Sequence, residues 1–421
     1  MLKSIPFSRS VFAINFLCGV LALVMLAADT VGQPKASKES PSMHSQVTGR
    51  WQLHEISRLG PGGAKYNQPA LLQIVTAHWN QVAAYPYMAY MPEKDRLIML
   101  VTRGDLWRPM VIFSQDHGAS WSHPEPVITS PPSDAGRIHA LGLAYLGGGK
   151  LLLAACDLRY DPVSFRYSSD TYGERWRATI PMTKNLWDPP LVDRESDSGE
   201  IVLYESAYDW PNGTDHDPAV YIRTSEDLGL KWSRDRSVKP WLDVGVSEAA
   251  LVRAGNGDLI GACRTNKPPE GVDETVVGPG DHYTGLGISV SKDNGLTWSP
   301  VNILYHFGRH HPSMVVMPNG GIVMTYVVRK GYPKDDDGFE QFGIEAVISQ
   351  DHGQTWDIQG RYVLHQWSAY RKDQAAWRAS SQNTSTVQLP GGDFLTAFGT
   401  GYRKAPYRYR SVGLVRWRIT P

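Results

Sequence analysis

Apolar residues along this chain recur as two short runs separated by a polar or glycine-containing turn. The six copies lie at Tyr87–Thr102, Ala140–Asp157, Leu191–Ser206, Glu248–Arg264, Ser313–Arg329 and Ser385–Gly399. Short apolar runs bounded by turn residues are typical of β-strands, and two runs in succession predict an antiparallel pair. The pattern therefore predicts an all-β protein built from repeated strand pairs.

A second pattern, Ser-x-Asp-x-Gly-x-(Ser/Thr/Lys)-Trp, follows the strand pairs at near-constant spacing. Full copies lie at Ser114–Trp121, Ser225–Trp232, Ser291–Trp298 and Ser349–Trp356, and Ser169–Trp176 is interpreted as a degenerate copy with one extra residue. In such a turn the Asp accepts hydrogen bonds from backbone amides, the Gly adopts a positive φ and the Trp packs beneath. Recurrence at one period indicates a repeat fold, and the Asp and Ser residues of these turns are expected to be structural.

The two patterns predict a six-bladed β-propeller whose blades are four-stranded antiparallel sheets. After the sixth strand pair only one further strand follows, at Val412–Ile419. An unpaired sheet edge is unfavourable. An N-terminal segment, either Arg50–Ile56 or Leu71–His78, is therefore expected to supply the missing strand and close the ring.

The N-terminus has the features of an export signal, because Lys3 and Arg9 precede an apolar run that ends at Ala28. The sequence thus predicts a signal peptide at 1–28, with a retained membrane anchor as the alternative. A disordered linker is expected at 29–48 and a single propeller at 49–421. The mature protein is expected to be secreted or periplasmic, monomeric and without membrane contact after signal cleavage.

Charge and cysteine content narrow the choice of partners. The 42 basic and 42 acidic residues give zero formal net charge, which argues against nucleic acid as a partner, because binding it needs a basic face. Cys156 and Cys263 are expected to be buried free thiols, too few for a disulfide framework. The cluster Asp215–Asp217, which includes His216, is more typical of a turn than of a calcium site. No cofactor is assigned, and calcium there stays an unsupported alternative.

Candidate chemistry lies at the loops that enter the first strand and leave the second strand of each pair. These loops are expected to meet on one rim, around the central channel and opposite the Ser-x-Asp turns. Guanidinium groups directed at one point favour a bound anion, so an anionic ligand is expected. The entering candidates are Tyr85, Arg137, His139, Asp188, Glu248, Arg309, His310, His311 and Asn383. The leaving candidates are Arg103, Asp105, Asp157, Arg159, Glu205, Tyr208, Asp209, Arg264, Arg329, Tyr402 and Arg403.

With these turns and the hairpin from Glu248 to Arg264, the sequence resembles the sialidase (neuraminidase) superfamily, whose propellers carry the turn as an Asp-box. The resemblance implies a glycoside hydrolase in which Asp105 is the acid/base and Glu248 the base or charge stabiliser. It also implies an arginine set that holds a sugar carboxylate, made here of Arg264 and Arg329 with Arg137 or Arg309.

Two positions depart from the pattern of that superfamily. Ala84 stands where its members have the first arginine, and Asn383 where they have the tyrosine nucleophile. Tyr402 is considered as a substitute nucleophile.

Three functions remain open at this point. The first is an exo-acting glycoside hydrolase on a sialic or uronic sugar of an anionic oligosaccharide or polysaccharide. The second is a uronate lyase, in which an arginine neutralises the carboxylate and His139 or His311, with Tyr85 opposite, takes the α-proton. The third is a propeller that binds glycans or proteins without catalysis. The fold alone does not choose among them.

Overall fold

The computed structural model describes residues 50–79, 81, 83–104, 108–127, 138–157, 163–178, 186–194, 198–209, 218–267, 284–402 and 410–419. Almost all regular structure in these residues is β-strand. Short helices are 3-10 turns at Pro61–Gly63, Pro92–Lys94 and Ala376–Ala379 and one α-helical turn, α1, at Lys239–Leu242. In the described residues no helix is long and apolar enough to span a membrane.

The strands are short and follow one another along the chain with few interruptions. The first nine are β1 (Gln52–Leu59), β2 (Lys65–Ile74), β3 (Ala83–Met91), β4 (Arg96–Arg103), β5 (Arg108–Ser114), β6 (Glu125–Pro126), β7 (Ile138–Gly147), β8 (Lys150–Asp157) and β9 (Val163–Ser169). The next nine are β10 (Arg177–Ala178), β11 (Leu186–Trp187), β12 (Leu191–Arg194), β13 (Ile201–Asp209), β14 (Ala219–Ser225), β15 (Arg236–Ser237), β16 (Val246–Arg253), β17 (Leu259–Thr265) and β18 (Gly285–Ser291). The last eight are β19 (Asn302–Tyr305), β20 (Arg309–Val316), β21 (Ile322–Val328), β22 (Gln341–Ser349), β23 (Tyr362–Ser368), β24 (Thr384–Gln388), β25 (Phe394–Thr400) and β26 (Ser411–Trp417).

These strands form antiparallel sheets of consecutive strands. Three sheets have four strands, β3 to β6, β7 to β10 and β16 to β19, and a fourth contains β11 to β15. A nine-stranded sheet has the order β20-β21-β22-β23-β1-β2-β26-β25-β24. Each of the six strand pairs predicted from the apolar pattern is present as an antiparallel pair.

The N-terminal strands complete the nine-stranded sheet. β2 pairs with β26, with Leu71 opposite Arg416 and Ile74 opposite Gly413, so the second of the two predicted segments provides the missing strand. β1 lies outside β2 and also pairs with β23 through two residues, Ser57 and Arg58.

The apolar cores lie between sheets, because alternate residues of a strand point to opposite faces. In β4, Leu97 and Met99 pack in a cluster with Leu395 of β25, whereas Ile98 packs in a different cluster with Leu153 of β8. The nine-stranded sheet also packs on itself, since one cluster contains residues of β22 together with residues of β25. Sheets buried on both faces and stacked in chain order are the arrangement of a β-propeller.

The Asp-box turns are held by their own side chains. In Ser349–Trp356, Gly353 N donates to Ser349 Oγ at 2.8 Å and Thr355 N donates to Asp351 Oδ1 at 2.9 Å. The residue before the glycine has a positive φ in every copy, for example 59° at His352. These contacts confirm the structural role predicted for the turn.

The interpretation of Ser169–Trp176 as a copy with an extra residue is wrong. Gly173 N donates to Ser169 Oγ at 3.0 Å, and Arg175 N donates to Thr171 Oγ1 at 3.0 Å. Thr171 therefore occupies the place of the Asp, and the spacing is that of the other copies. A threonine hydroxyl accepts the same amide that a carboxylate would accept.

Candidate active site

A cavity of about 180 Å³ opens where the first strands of the predicted pairs approach one another. The lining residues come from β3, β7, β16, β20 and β24 and from the segment before β12. They are Tyr87, Met88, Leu143, Asp188, Pro189, Pro190, Glu248, Ala249, Ala250, Leu251, His311, Pro312, Ser313, Met314, Asn383, Thr384, Ser385 and Thr386. None of the Asp-box residues is among them. This agrees with the prediction that the Asp-box turns are structural and lie away from the candidate functional residues.

Local irregularities turn side chains toward this cavity. The strand register shifts at Ser247 and Glu248 in β16 and at His311 and Pro312 in β20. His311 has φ 51°, a conformation that is unfavourable for a residue with a side chain. Bulges of this kind redirect single side chains and occur often beside active sites.

Glu248, Arg264 and His311 form one hydrogen-bonded cluster beside the cavity. Arg264 Nη1 donates to Glu248 Oε1 at 2.9 Å and to His311 Nε2 at 3.1 Å. His311 Nε2 also lies 3.5 Å from Glu248 Oε1. Because a guanidinium can only donate, Nε2 of His311 is the accepting nitrogen in this contact. The sequence predicted all three residues, and the structure brings them together.

Glu248 is held in its charged form. Burial raises the pKa of this carboxyl, but the positive charge of Arg264, with a smaller effect of His311 in its protonated form, lowers the pKa by more, so that it lies below its ordinary value. Ser247 Oγ donates to Glu248 Oε2 at 2.6 Å and Tyr208 OH donates to Oε1 at 3.3 Å. Hydrogen bonds to a carboxylate add to the preference for the charged form.

Asp188 has the opposite electrostatic character. Its carboxyl is buried, with 9% of the residue exposed, and Oδ2 accepts hydrogen bonds from Ser206 Oγ at 2.7 Å and Ala249 N at 2.8 Å. Burial raises the pKa of Asp188 well above its ordinary value, and the negative charge of Glu248 raises it further. The cavity is thus lined by two carboxyl groups, one favoured as the acid and the other as the carboxylate.

The remaining residues with predicted roles in the described part of the chain lie elsewhere and have other contacts. Arg309 Nε donates to the buried Glu345 at 3.0 Å. Arg329 Nη2 donates to the carbonyl of Ser381 at 3.1 Å, and Tyr402 OH lies 2.7 Å from His365 Nε2. His139 and Tyr85 contact each other edge to face, with ring centroids 5.2 Å apart. None of these five side chains lines the cavity, and their proposed roles stay predictions.

Two residues with predicted roles, Asp105 and Arg137, lie outside the described residues, as do the rim candidates Arg159 and Arg403 and the cluster Asp215–Asp217. The acid/base role of Asp105 and the anion-binding role of Arg137 therefore stay predictions. In the described residues no group of three or more His, Cys, Asp or Glu side chains is arranged to hold a metal ion. Cys156 and Cys263 are buried free thiols, as predicted.

Sequence reasoning did not assign roles to Asp188, Tyr208 or Tyr87. Asp188 and Tyr208 stand at a strand entrance and exit, so their positions were visible, but nothing in the sequence indicates that both approach Glu248. Tyr87 is the first residue of the first predicted strand pair. Its position in the strand pattern does not distinguish it from the other aromatic side chains of the strands.

The fold and the Asp-box turns define this molecule as a sialidase-like β-propeller, which confirms the resemblance seen in the sequence. The BNR repeat-like domain family matches residues 163–406, more than half of the chain. The chain belongs to this family. No curated protein sequence matches it significantly.

Solved structures with the same fold include proteins of different activity. A protein of unknown function from Dyadobacter fermentans superposes with a TM-score of 0.59 at 17% identity, covering 81% of this chain and 95% of that one. The GH93 α-L-arabinofuranosidase of Fusarium graminearum, solved with arabinobiose, has a TM-score of 0.52 at 13% identity and coverages of 80% and 93%. The phage phi92 endosialidase has 0.59 at 10% identity and coverages of 86% and 72%. At these identities the likeness is one of fold.

Proposed function

We propose that this chain is a glycoside hydrolase that removes a terminal anionic sugar, sialic or uronic, from an oligosaccharide or polysaccharide. The observation that carries this proposal is the pair of cavity carboxyls with opposite pKa shifts, Asp188 raised and Glu248 lowered. Hydrolysis of a glycosidic bond needs a protonated acid on the leaving oxygen and a carboxylate as base or nucleophile. Environments that push two carboxyl pKa values apart assign those roles.

In this mechanism Asp188 donates its proton to the glycosidic oxygen as the bond to the leaving group breaks. Glu248 supports the opposite face of the sugar, either attacking the anomeric carbon or taking a proton from water. Arg264 keeps Glu248 charged through the 2.9 Å contact. Asp105, which the family resemblance also implies as acid/base, is the alternative proton donor.

An anionic sugar is supported by the arginine beside the cavity. The guanidinium of Arg264, which contacts both Glu248 and His311 of the cavity lining, gives this side of the cavity a positive charge, and Arg137 is the further predicted partner of a sugar carboxylate. Guanidinium groups bind carboxylates through paired hydrogen bonds.

The architecture that we propose for this enzyme is a six-bladed propeller. The four smaller sheets give four blades, and the nine-stranded sheet, which packs on itself, gives two, β20 to β23 and β24 to β26 with β2. We also propose that 1–28 is an export signal, that 29–48 is a linker and that the propeller at 49–421 is secreted or periplasmic.

A uronate lyase is the second candidate, and the contact between His311 and Arg264 favours it. A lyase needs a base beside a cation that neutralises the sugar carboxylate, and Arg264 Nη1 lies 3.1 Å from His311 Nε2. In this mechanism the guanidinium of Arg264 turns to the sugar carboxylate, which releases the lone pair of the neutral His311 Nε2 to take the α-proton.

One screen separates the candidates. Purified protein is incubated with sialosides and uronate-containing polysaccharides while reducing sugar and ultraviolet absorbance are followed. Hydrolysis gives a saturated reducing sugar, whereas a lyase gives an unsaturated, ultraviolet-absorbing product. Binding without turnover would support a non-catalytic propeller.

Substitutions of the two cavity carboxyls test their assigned roles in the same assay. Glu248→Gln and Asp188→Asn are each expected to lower kcat at least about 100-fold, in the range found for acid and base groups. The exposed Glu125→Gln on β6 is the control, with unchanged kcat. Full activity of Glu248→Gln on a substrate that wild type cleaves would refute this site.

A further inference from the structure

Tyr87 is a cavity-lining side chain without a hydrogen bond of its own. Its partly buried ring packs against the cluster between β3–β5 and β7–β9, and its side chain reaches the cavity. The hydroxyl makes no hydrogen bond to any residue in the described part of the chain. By contrast, Tyr90 on the same strand donates to Asp95 at 2.6 Å, and Tyr208 donates to Glu248 at 3.3 Å.

The charges around Tyr87 keep its hydroxyl protonated. Burial raises the pKa of Tyr87 well above its ordinary value, and the negative charges of Asp188 and Glu248 raise it further. The group is therefore a neutral O–H donor throughout the pH range in which enzymes of this kind work. A donor that faces a cavity and has no protein acceptor is suited to an acceptor on a ligand.

The backbone on both sides of Tyr87 is fixed to β24 and to Asn383, the residue before it. Asn383 Nδ2 donates to the carbonyl of Pro86 at 2.7 Å, and Met88 N donates to Ser385 Oγ at 2.8 Å. Because a carbonyl only accepts, the amide of Asn383 must present its nitrogen to Pro86. Asn383, which replaces the tyrosine of the sialidase pattern, thus has a positioning contact in this chain.

We propose, on the basis of the hydrolase function above, that the Tyr87 hydroxyl donates a hydrogen bond to one oxygen of the sugar in the cavity and selects for sugars that carry it. The ligand chemistry is a sugar hydroxyl oxygen that lies beside the Asp188 and Glu248 carboxyls. The contacts at positions 86 and 88 fix the backbone that carries Tyr87, and the ring packs against its neighbours, so the selection is geometric.

The test compares Tyr87→Phe with wild type on aryl glycosides of sialic and glucuronic acid and on their monodeoxy analogues. Phenylalanine keeps the ring packing and removes only the hydroxyl, and Tyr90→Phe is the matched control on the same strand. For wild type and Tyr90→Phe, kcat/KM is expected to be about tenfold lower on one deoxy analogue than on the parent sugar, which is the effect of one hydrogen bond. The kcat/KM of Tyr87→Phe on the parent sugar is expected to be about tenfold below that of wild type. On the deoxy analogue, kcat/KM of this variant should not fall any further.

Other outcomes overturn the assignment. If Tyr87→Phe discriminates among the analogues as wild type does, the hydroxyl does not bind the sugar. If the variant loses activity equally on every analogue, the hydroxyl acts through the protein and not through a contact with the sugar. If wild type cleaves none of the glycosides, the hydrolase function fails. The same comparison is then made by calorimetric binding of the free sugars, which decides the role of Tyr87 independently.

Discussion

Asp188 is bound to the strand that carries Glu248, because Asp188 Oδ2 accepts a hydrogen bond from the amide of the next residue, Ala249, at 2.8 Å. The two carboxyls are therefore held by one short stretch of backbone. Ser206 Oγ, which also bonds Asp188, lies 3.2 Å from the carbonyl of Ala249. The relative position of acid and carboxylate is thus set by hydrogen bonds to the backbone of β16.

The raised pKa of Asp188 predicts a pH-dependent cost in stability. The folded protein keeps a proton that the unfolded chain loses above about pH 4, so this contribution to stability falls as pH rises through the folded pKa. Asp188→Asn removes the titration. The free energy of unfolding of Asp188→Asn is expected to increase relative to that of wild type as the pH rises from about 4 to about 7. Urea unfolding at several pH values measures it, with the exposed Asp243→Asn as control. Parallel curves for Asp188→Asn and wild type would contradict the shift.

Arg264 is expected to set the acid limb of the pH–rate profile. Removing its guanidinium removes the main cause that lowers the pKa of Glu248, so the carboxyl of Arg264→Gln takes up a proton at higher pH. The acid limb of kcat/KM should move to higher pH, and Arg264→Lys should move it less. Arg253→Gln, whose native guanidinium bonds Asp193, is the control. An acid limb that stays in place in Arg264→Gln would show that Glu248 is not the titrating group.

His365 is expected to make the fold sensitive to acid. Burial, together with the smaller effect of the nearby His54, lowers the pKa of His365 to about 3. The unfolded chain therefore binds a proton below about pH 6.5 that the folded protein does not, and stability is lost as pH falls from there toward 3. His365→Phe keeps the packing on Trp367 and should flatten this loss, although it removes the bond to Tyr402. Unfolding at pH 4 and pH 7, with the exposed His306→Asn as control, tests this expectation. A variant as acid-sensitive as wild type would exclude His365 as the cause.

The Asp-box aspartates are expected to affect stability and not catalysis. Asp351→Ala removes the acceptor of Thr355 N at 2.9 Å and of Thr355 Oγ1 at 2.6 Å. A loss of about 1 to 3 kcal/mol in the free energy of unfolding is expected, with kcat/KM unchanged at temperatures where the variant is folded. The exposed Asp336→Ala controls for the loss of a surface charge. Lost activity with unchanged stability would contradict the structural role.

The repeated strand pairs and turns could be predicted from the sequence because each is a local pattern. The apolar run within Arg96–Arg103 and the Ser-Asp-Gly spacing depend on neighbouring residues alone. The closing strand was narrowed to two segments, since the apolar pattern cannot tell which of two N-terminal strands pairs with β26. The prediction of an extra residue in Ser169–Trp176 is wrong because Thr171, and not Asp170, occupies the place of the Asp.

The candidate site was only partly predictable. Glu248, Arg264 and His311 were found because their strands begin and end on one rim. Arg309 was expected on the same rim, yet its guanidinium is bound by Glu345 of β22, a partner that no local pattern reveals. Asp188, Tyr87 and Glu248 lie in or beside three different sheets. Their proximity depends on how these sheets stack, which no local sequence pattern reveals.

The pairing of β2 with β26 gives the chain an order of assembly. Gln68 donates to the carbonyl of Arg418 at 2.7 Å, a contact between residues 350 positions apart. During synthesis β2 must wait until β26 has left the ribosome, and no product that stops before β26 can complete this sheet. The sheet is therefore the last part of the fold to be completed, and deletion of either strand would leave the other with one unpaired edge.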